Sequence, residues 1–258
     1  MTTVKELYAY LDEIIPRSLS CDWDNDGLMV CTDTLARAEK VLLALDVTDA
    51  VAEYAVANGF DIIVTHHPMI FRPLRSLTTE DSVARRAIYL AKHDITVMSF
   101  HTRLDMRTGG VNDVLAKRLG IISAIPFGPE GEKMGRYGVL AKPMDFRMFC
   151  GTVCEALGVD AVTAIGDKKE VQKIAVLGGS GKDFVDSAIE VGADVFVTGE
   201  ITYNVMLEAK ARGLCVIAAG HYHTEQPVLD VLGGAIHERF RELKIEKYPK
   251  DTEVFIVK

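Results

Sequence analysis

No stretch of this sequence approaches the run of roughly 18 apolar residues that would suggest a transmembrane helix. Nor is there a basic excess: 29 Lys and Arg against 37 Asp and Glu leave a formal charge of −8. A general nucleic-acid-binding surface needs a basic stripe, so that class is set aside. Five cysteines form an odd set with no paired framework, which fits a reducing compartment. Met1-Thr-Thr-Val-Lys-Glu-Leu7 opens directly into an amphipathic pattern, with no sign of a secretory leader. These absences predict a cytoplasmic protein with neither membrane nor nucleic acid as its partner.

What is present is an ordinary globular composition, 48% hydrophobic and 26% charged. At 258 residues the chain calls for one large or two coupled α/β domains. Apolar spacing predicts helices over 4–15, 50–57, 82–92 and 111–119, with buried-type strands at 41–45, 61–65 and 95–100. A second series follows, with strands at 174–177, 193–198 and 214–220 and helices over 184–191 and 235–243. Alternation of helices with continuous apolar strands implies largely parallel sheets flanked by helices.

The two series align. Asp61-Ile-Ile-Val-Thr65 matches Asp194-Val-Phe-Val-Thr198, and the strands before them, at Val41 and Ile174, fall in the same register. Each series then reaches a His-x-x-x-acid, His101/Asp105 in the first and His221/Glu225 in the second. The expectation is two similar α/β halves, residues 1–125 and 126–258, around a metal site between them. The last run, Glu253-Val-Phe-Ile-Val-Lys258, reads as a strand able to return to the first domain.

The chemistry concentrates where strands end, the usual place for ligand sites in α/β folds. Four of the seven histidines follow predicted strands: His66, His67, His101 and His221. With Asp105 and Glu225 they exceed what one zinc ion usually takes from protein, which points to two metals. Side chains of neighbours on an extended segment point to opposite sides. His66 and His67 therefore reach one site only if the chain turns there, or else they ligate two metals on either side of the turn; the second option is favoured. Asp105 and Glu225 are the natural bridging groups, because a carboxylate can join cations roughly 3.5–4 Å apart. His223 reads as an orienting or substrate-facing group, and His93 and His237 as surface residues. The imidazole and carboxylate set suits Zn, Fe, Mn or Ni.

Three other features have two readings each. Cys150 and Cys154 could share a metal on one helix face, but Phe146, Phe149, Val153 and Leu157 around them favour core packing. Gly178-Gly-Ser-Gly181, with Gly179, Ser180 and Gly181 as its donors, could bind phosphate ahead of a helix. It could equally be a tight turn capped by Ser180 or Asp183. Trp23-Asp-Asn-Asp-Gly27 is turn-forming chemistry or part of a pocket wall.

Taken together, Trp23-Asp-Asn-Asp-Gly-Leu28, Thr65-His-His-Pro68, His101-Thr-Arg-Leu-Asp105, Gly178-Gly-Ser-Gly181 and Gly220-His-Tyr-His-Thr-Glu225 resemble the Nif-three-like family, the type 2 GTP cyclohydrolase I homologues. The resemblance covers nearly the whole chain. It implies a two-domain α/β fold, a dinuclear metal centre and a homohexamer built as a trimer of dimers. The family's ligands fall on His66, His67, Asp105, His221 and Glu225, with His101 a ligand or a supporting residue. The family commonly has Thr-Gly-Asp-x-x-x-His where this chain has Thr198-Gly-Glu200 and Asn204, so an imidazole is missing there. Longer relatives carry a middle domain, for which the segment from Pro126 to Arg136 has no room.

Two functions from different classes follow. One is a metal-dependent hydrolase acting on a small-molecule nucleotide or phosphoester, with GTP opened at C8 as the cyclohydrolase version and His223 and Glu200 as candidate proton-transfer groups. The other is a non-catalytic metal-binding or regulatory scaffold. An open coordination position favours the first, and a metal saturated by protein ligands favours the second.

Overall fold

The computed structural model describes residues 1–249. The strand expected at Glu253–Lys258 lies outside the described residues. The chain divides into two compact units: Met1–Leu104 together with the chain from Leu229 on, and Asp105–Val228. The division expected near residue 125 is displaced for a plain reason. Strands Ile122–Phe127 and Gly135–Asp145 flank that segment as antiparallel neighbours in one sheet, so Pro126–Arg136 spans a hairpin turn and not a linker. Among the described residues no helix is long and apolar enough to cross a membrane.

The first unit holds a five-stranded sheet in the order Lys244–Lys247, Lys40–Ala44, Ile62–Thr65, Thr96–Ser99, Gly27–Val30. The first four strands run parallel and the last pairs antiparallel at the edge. Side chains alternate across the sheet. Leu42, Ile63 and Val97 pack into one core with Val51, Ala55 and Leu90 of helices Asp49–Ala57 and Ser82–Lys92. On Leu43 lies helix Val228–Arg239, which comes so close that a Cβ on Gly233 would sit 2.8 Å from Leu43 Cδ1. Both faces are therefore covered, which is why these strands read as unbroken apolar runs. Side chains cap both helix starts: Thr48 and Asp81 accept the N–H groups of Val51 and Ala84.

The second unit holds a six-stranded sheet in the order Ile122–Phe127, Gly135–Asp145, Glu170–Ser180, Val195–Glu200, Cys215–Ala218, Thr163–Ile165. Only the pairings among its third, fourth and fifth strands are parallel; the outer pairings are antiparallel. Ile174, Val176, Val195, Val197 and Ile217 pack against Leu115 of helix Val111–Arg118 and Phe149 and Val153 of helix Phe146–Leu157. Cys150 packs on that core, and burial pushes its thiol up, which keeps it protonated.

The internal repeat has a physical signature. Asp61 Oδ2 accepts the backbone N–H groups of Glu39 and Lys40 at 2.7 and 2.8 Å. Asp194 Oδ2 accepts those of Gln172 and Lys173 at 3.0 and 2.8 Å. In each unit one Asp thus clamps the start of its own strand to that of its parallel neighbour. The same register corrects the pairing of the histidines. Phe100 N–H bonds Thr65 O, and Ala219 N–H bonds Thr198 O, so His101 corresponds to Gly220 and His221 to Thr102.

Candidate metal centre

In the first unit Ala44, Thr65 and Ser99 pair in register. The residues that follow them, Asp46, His66-His67 and His101, accordingly leave the sheet at the same edge. The chain turns there: Thr65 Oγ1 contacts Ser99 Oγ at 2.8 Å and donates to His67 O at 2.8 Å. That turn overrides the opposite pointing of strand neighbours and brings the His66 and His67 rings to 4.9 Å, with His101 at 5.3 and 5.6 Å. A ligand nitrogen from each of the three rings lies within 4.8 Å of the others.

Each ring is oriented by its other nitrogen. His66 is fully buried, with Nδ1 3.0 Å from the Phe100 carbonyl. His67 Nδ1 lies 2.9 Å from Asp46 Oδ1, and His101 Nδ1 lies 2.9 Å from Asp24 Oδ1. A carbonyl or carboxylate oxygen accepts, so Nδ1 carries the hydrogen and Nε2 presents the lone pair. This is the arrangement of histidines that bind metals. Asp24 also accepts Thr102 N–H and Oγ1–H at 3.0 and 2.6 Å. Burial raises the Asp24 carboxyl, but the bonds from His101 and Thr102 outweigh it and hold it at about 2. Asp26 accepts the His101 N–H at 3.2 Å and Arg103 Nε at 3.0 Å. The Trp23–Gly27 segment is therefore the support of His101. Asp24 and Asp46 carried no sequence signal of this role beyond following a turn and a strand.

The second unit repeats the device with different residues. His221 opens the short helix His221–Glu225 after Gly220, whose φ is +91°. Its Nδ1 lies 3.1 Å from Glu200 Oε1, and its Nε2 lies 3.2 Å from Oε2 of the buried Glu225. Glu200, considered for proton transfer, is placed to orient an imidazole. Gly199, the counterpart of His66, has no room for a side chain: a Cβ there would lie 2.6 Å from Gly179 O.

The glycine loop makes space, and three of its backbone donors are engaged within the fold. The N–H groups of Gly178, Gly179 and Gly181 go to Asn112 Oδ1, Thr224 Oγ1 and Glu200 O. The short helix after it has no side-chain cap, so neither Ser180 nor Asp183 fills that role. At Gly179, with φ +68°, a Cβ would lie 2.3 Å from Glu225 Oε1 and 3.1 Å from His221 Nε2. Asp105 is buried in the helix Thr102–Met106, outside the group of His66, His67 and His101. His223 packs edge-on to Tyr222 at 5.5 Å. His93 and His237 are exposed.

The donor chemistry fits divalent ions: imidazoles anchored through Nδ1, a buried carboxylate, and glycine backbone where bulk would displace it. A family model described as Duf34/NIF3 (NGG1p interacting factor 3) matches residues 2–253. A Clostridium perfringens protein named GTP cyclohydrolase 1 type 2 homolog is 36% identical over 262 residues, covering 98% of this chain and 99% of that one. Protein NIF3 homolog of Schizosaccharomyces pombe is 34% identical, covering 87% and 85%. A solved Bacillus cereus protein related to NIF3 has the same fold, with a TM-score of 0.88 over 99% of both chains at 23% identity.

Proposed function

This chain belongs to the Duf34/NIF3 family, and we propose that it is a dinuclear metal protein that hydrolyses a nucleotide or phosphoester. The ligands are His66, His67, Asp105, His221 and Glu225, with His101 as a further ligand or support. The observation that carries this reading is the anchoring of Nδ1 in all four histidines, by Phe100 O, Asp46, Asp24 and Glu200. Anchoring fixes the orientation of each ring, which matters for a metal ligand and little for a structural histidine. When bound, two ions supply Lewis acidity toward water and toward a carbonyl or phosphoryl oxygen.

The chain's own residues then have separable tasks. Asp24, Asp46 and Glu200 hold imidazoles in orientation, and Asp105 and Glu225 supply the negative charge that offsets the cations. Glu200 is committed to His221, so proton transfer falls to His223. The name of the Clostridium perfringens relative favours GTP as the first substrate to try.

The test is turnover of GTP, other nucleotides and phosphodiesters by metal-loaded protein. His67→Ala should abolish turnover through metal loss, whereas His223→Ala should slow it with metal content intact. Turnover that survives complete metal removal would refute the mechanism.

A further inference from the structure

We infer that Trp23 and Phe71 form a stacking site for the base of a nucleotide beside the histidine cluster; in naming the substrate, this rests on the hydrolytic reading above. Trp23 is the chain's only tryptophan. It is 53% exposed, and Phe71 beside it is 45% exposed. Side chains of this size usually bury most of their surface, and an exposed aromatic pair marks a contact surface. Their rings lie 6.3 Å apart at 70°. The His101 ring lies 6.2 Å from Trp23 at 76° and 6.3 Å from Phe71 at 86°. Three steeply inclined rings thus meet in a corner, and one of them belongs to the histidine cluster.

The corner is held from both sides. Asp24, next to Trp23, is fixed on His101 and Thr102. Asn25 Nδ2 donates to Ile70 O, which ties the Trp23 segment to the residue before Phe71. The two segments that carry these rings are therefore tied down at Asp24 and Asn25, and anchoring of this kind lowers the entropy cost of stacking. The occupant needs a flat π-face, and it needs an anionic group close by. Arg72 and Arg75 follow Phe71 and are both exposed, a local cationic flank on a chain of charge −8. A nucleotide combines the two features. Stacking tolerates any base, so recognition should favour purines by area without reading one purine against the other.

Trp23 is its own probe. Its fluorescence is followed while chelator-treated and zinc-loaded protein are titrated with GMP, AMP, ribose 5-phosphate and inorganic phosphate. Saturable quenching by GMP and AMP but not by ribose 5-phosphate is expected. Phe71→Ala, at an exposed position that should not disturb folding, should weaken GMP about tenfold, and Phe71→Tyr should restore it. Equal quenching by ribose 5-phosphate, no quenching by GMP, or wild-type affinity in Phe71→Ala would each overturn the stacking site. Base-dependent quenching in a protein that takes up no metal would support stacking while the hydrolytic reading failed, so the two failures are distinct.

Discussion

Replacing Gly179 by alanine separates a backbone effect from a ligand effect, because Gly192 provides a matched control. Gly179 and Gly192 have φ of +68° and +71°. An alanine in that region costs roughly 1–2 kcal/mol at either position. The surroundings differ: a Cβ at Gly192 meets nothing within 4 Å, whereas one at Gly179 would sit 2.3 Å from Glu225 Oε1 and 3.1 Å from His221 Nε2. Neither neighbour yields easily, since Glu225 is buried and His221 is anchored through Nδ1 on Glu200. Gly192→Ala should therefore lose about 1–2 kcal/mol in urea unfolding of the metal-free protein, and Gly179→Ala more than that, because its Cβ also displaces Glu225. Only Gly179→Ala should also bind metal more weakly, on the order of 10–100-fold as when a ligand's support is disturbed. Competition titration with a chromogenic chelator measures that ratio. Equal metal affinity in the two variants would refute the claim that the glycine loop clears space for His221 and Glu225.

Other perturbations follow from the same geometry. Asp24, held at about 2 against an ordinary 3.8, has a folded pKa below its unfolded one. Its contribution is thus fully present above the unfolded value and lost as pH falls through the folded one. Urea midpoints should accordingly drop between about pH 4 and pH 2, and the drop should be shallower in Asp24→Asn. Glu200→Gln keeps an acceptor but removes the charge behind His221, and metal affinity should fall roughly tenfold with little change in unfolding. Asp61→Ala removes the clamp on Glu39 and Lys40 and should cost about 1–3 kcal/mol, read from urea unfolding with metal binding unaffected.

The parallel strands and their helices were legible because burial on both faces writes unbroken apolar runs such as Val41–Leu45 and Ile62–Thr65. The repeat was legible through Asp61 and Asp194, whose carboxylates perform the same hydrogen-bonding task. Strand Lys244–Lys247 was missed, and it alternates charge with a single Ile at the sheet edge, where one side faces solvent. Gly128-Pro-Glu-Gly131 reads as a turn in the sequence, but a turn between two halves looks the same as the hairpin turn that joins Ile122–Phe127 to Gly135–Asp145 within one sheet. Of the candidate site, the histidines stood out by their place after strands. The groups that orient them did not, because Asp24 and Asp46 meet His101 and His67 across 77 and 21 residues of chain. A hydrogen bond of that span leaves no periodic trace in a single sequence. The alignment of His101 with His221 was off by one, since a His-x-x-x-acid spacing does not report where the strand before it ends.

The central claim is that imidazoles with anchored Nδ1 groups, together with Asp105 and Glu225, hold two divalent ions in each chain. It is tested most directly by elemental analysis of protein purified without chelators and reconstituted with zinc or manganese, then freed of loose metal by gel filtration. Close to two equivalents per chain are expected, with Glu225→Ala lowering occupancy well below that. A stoichiometry near zero in the folded, reconstituted protein would contradict it.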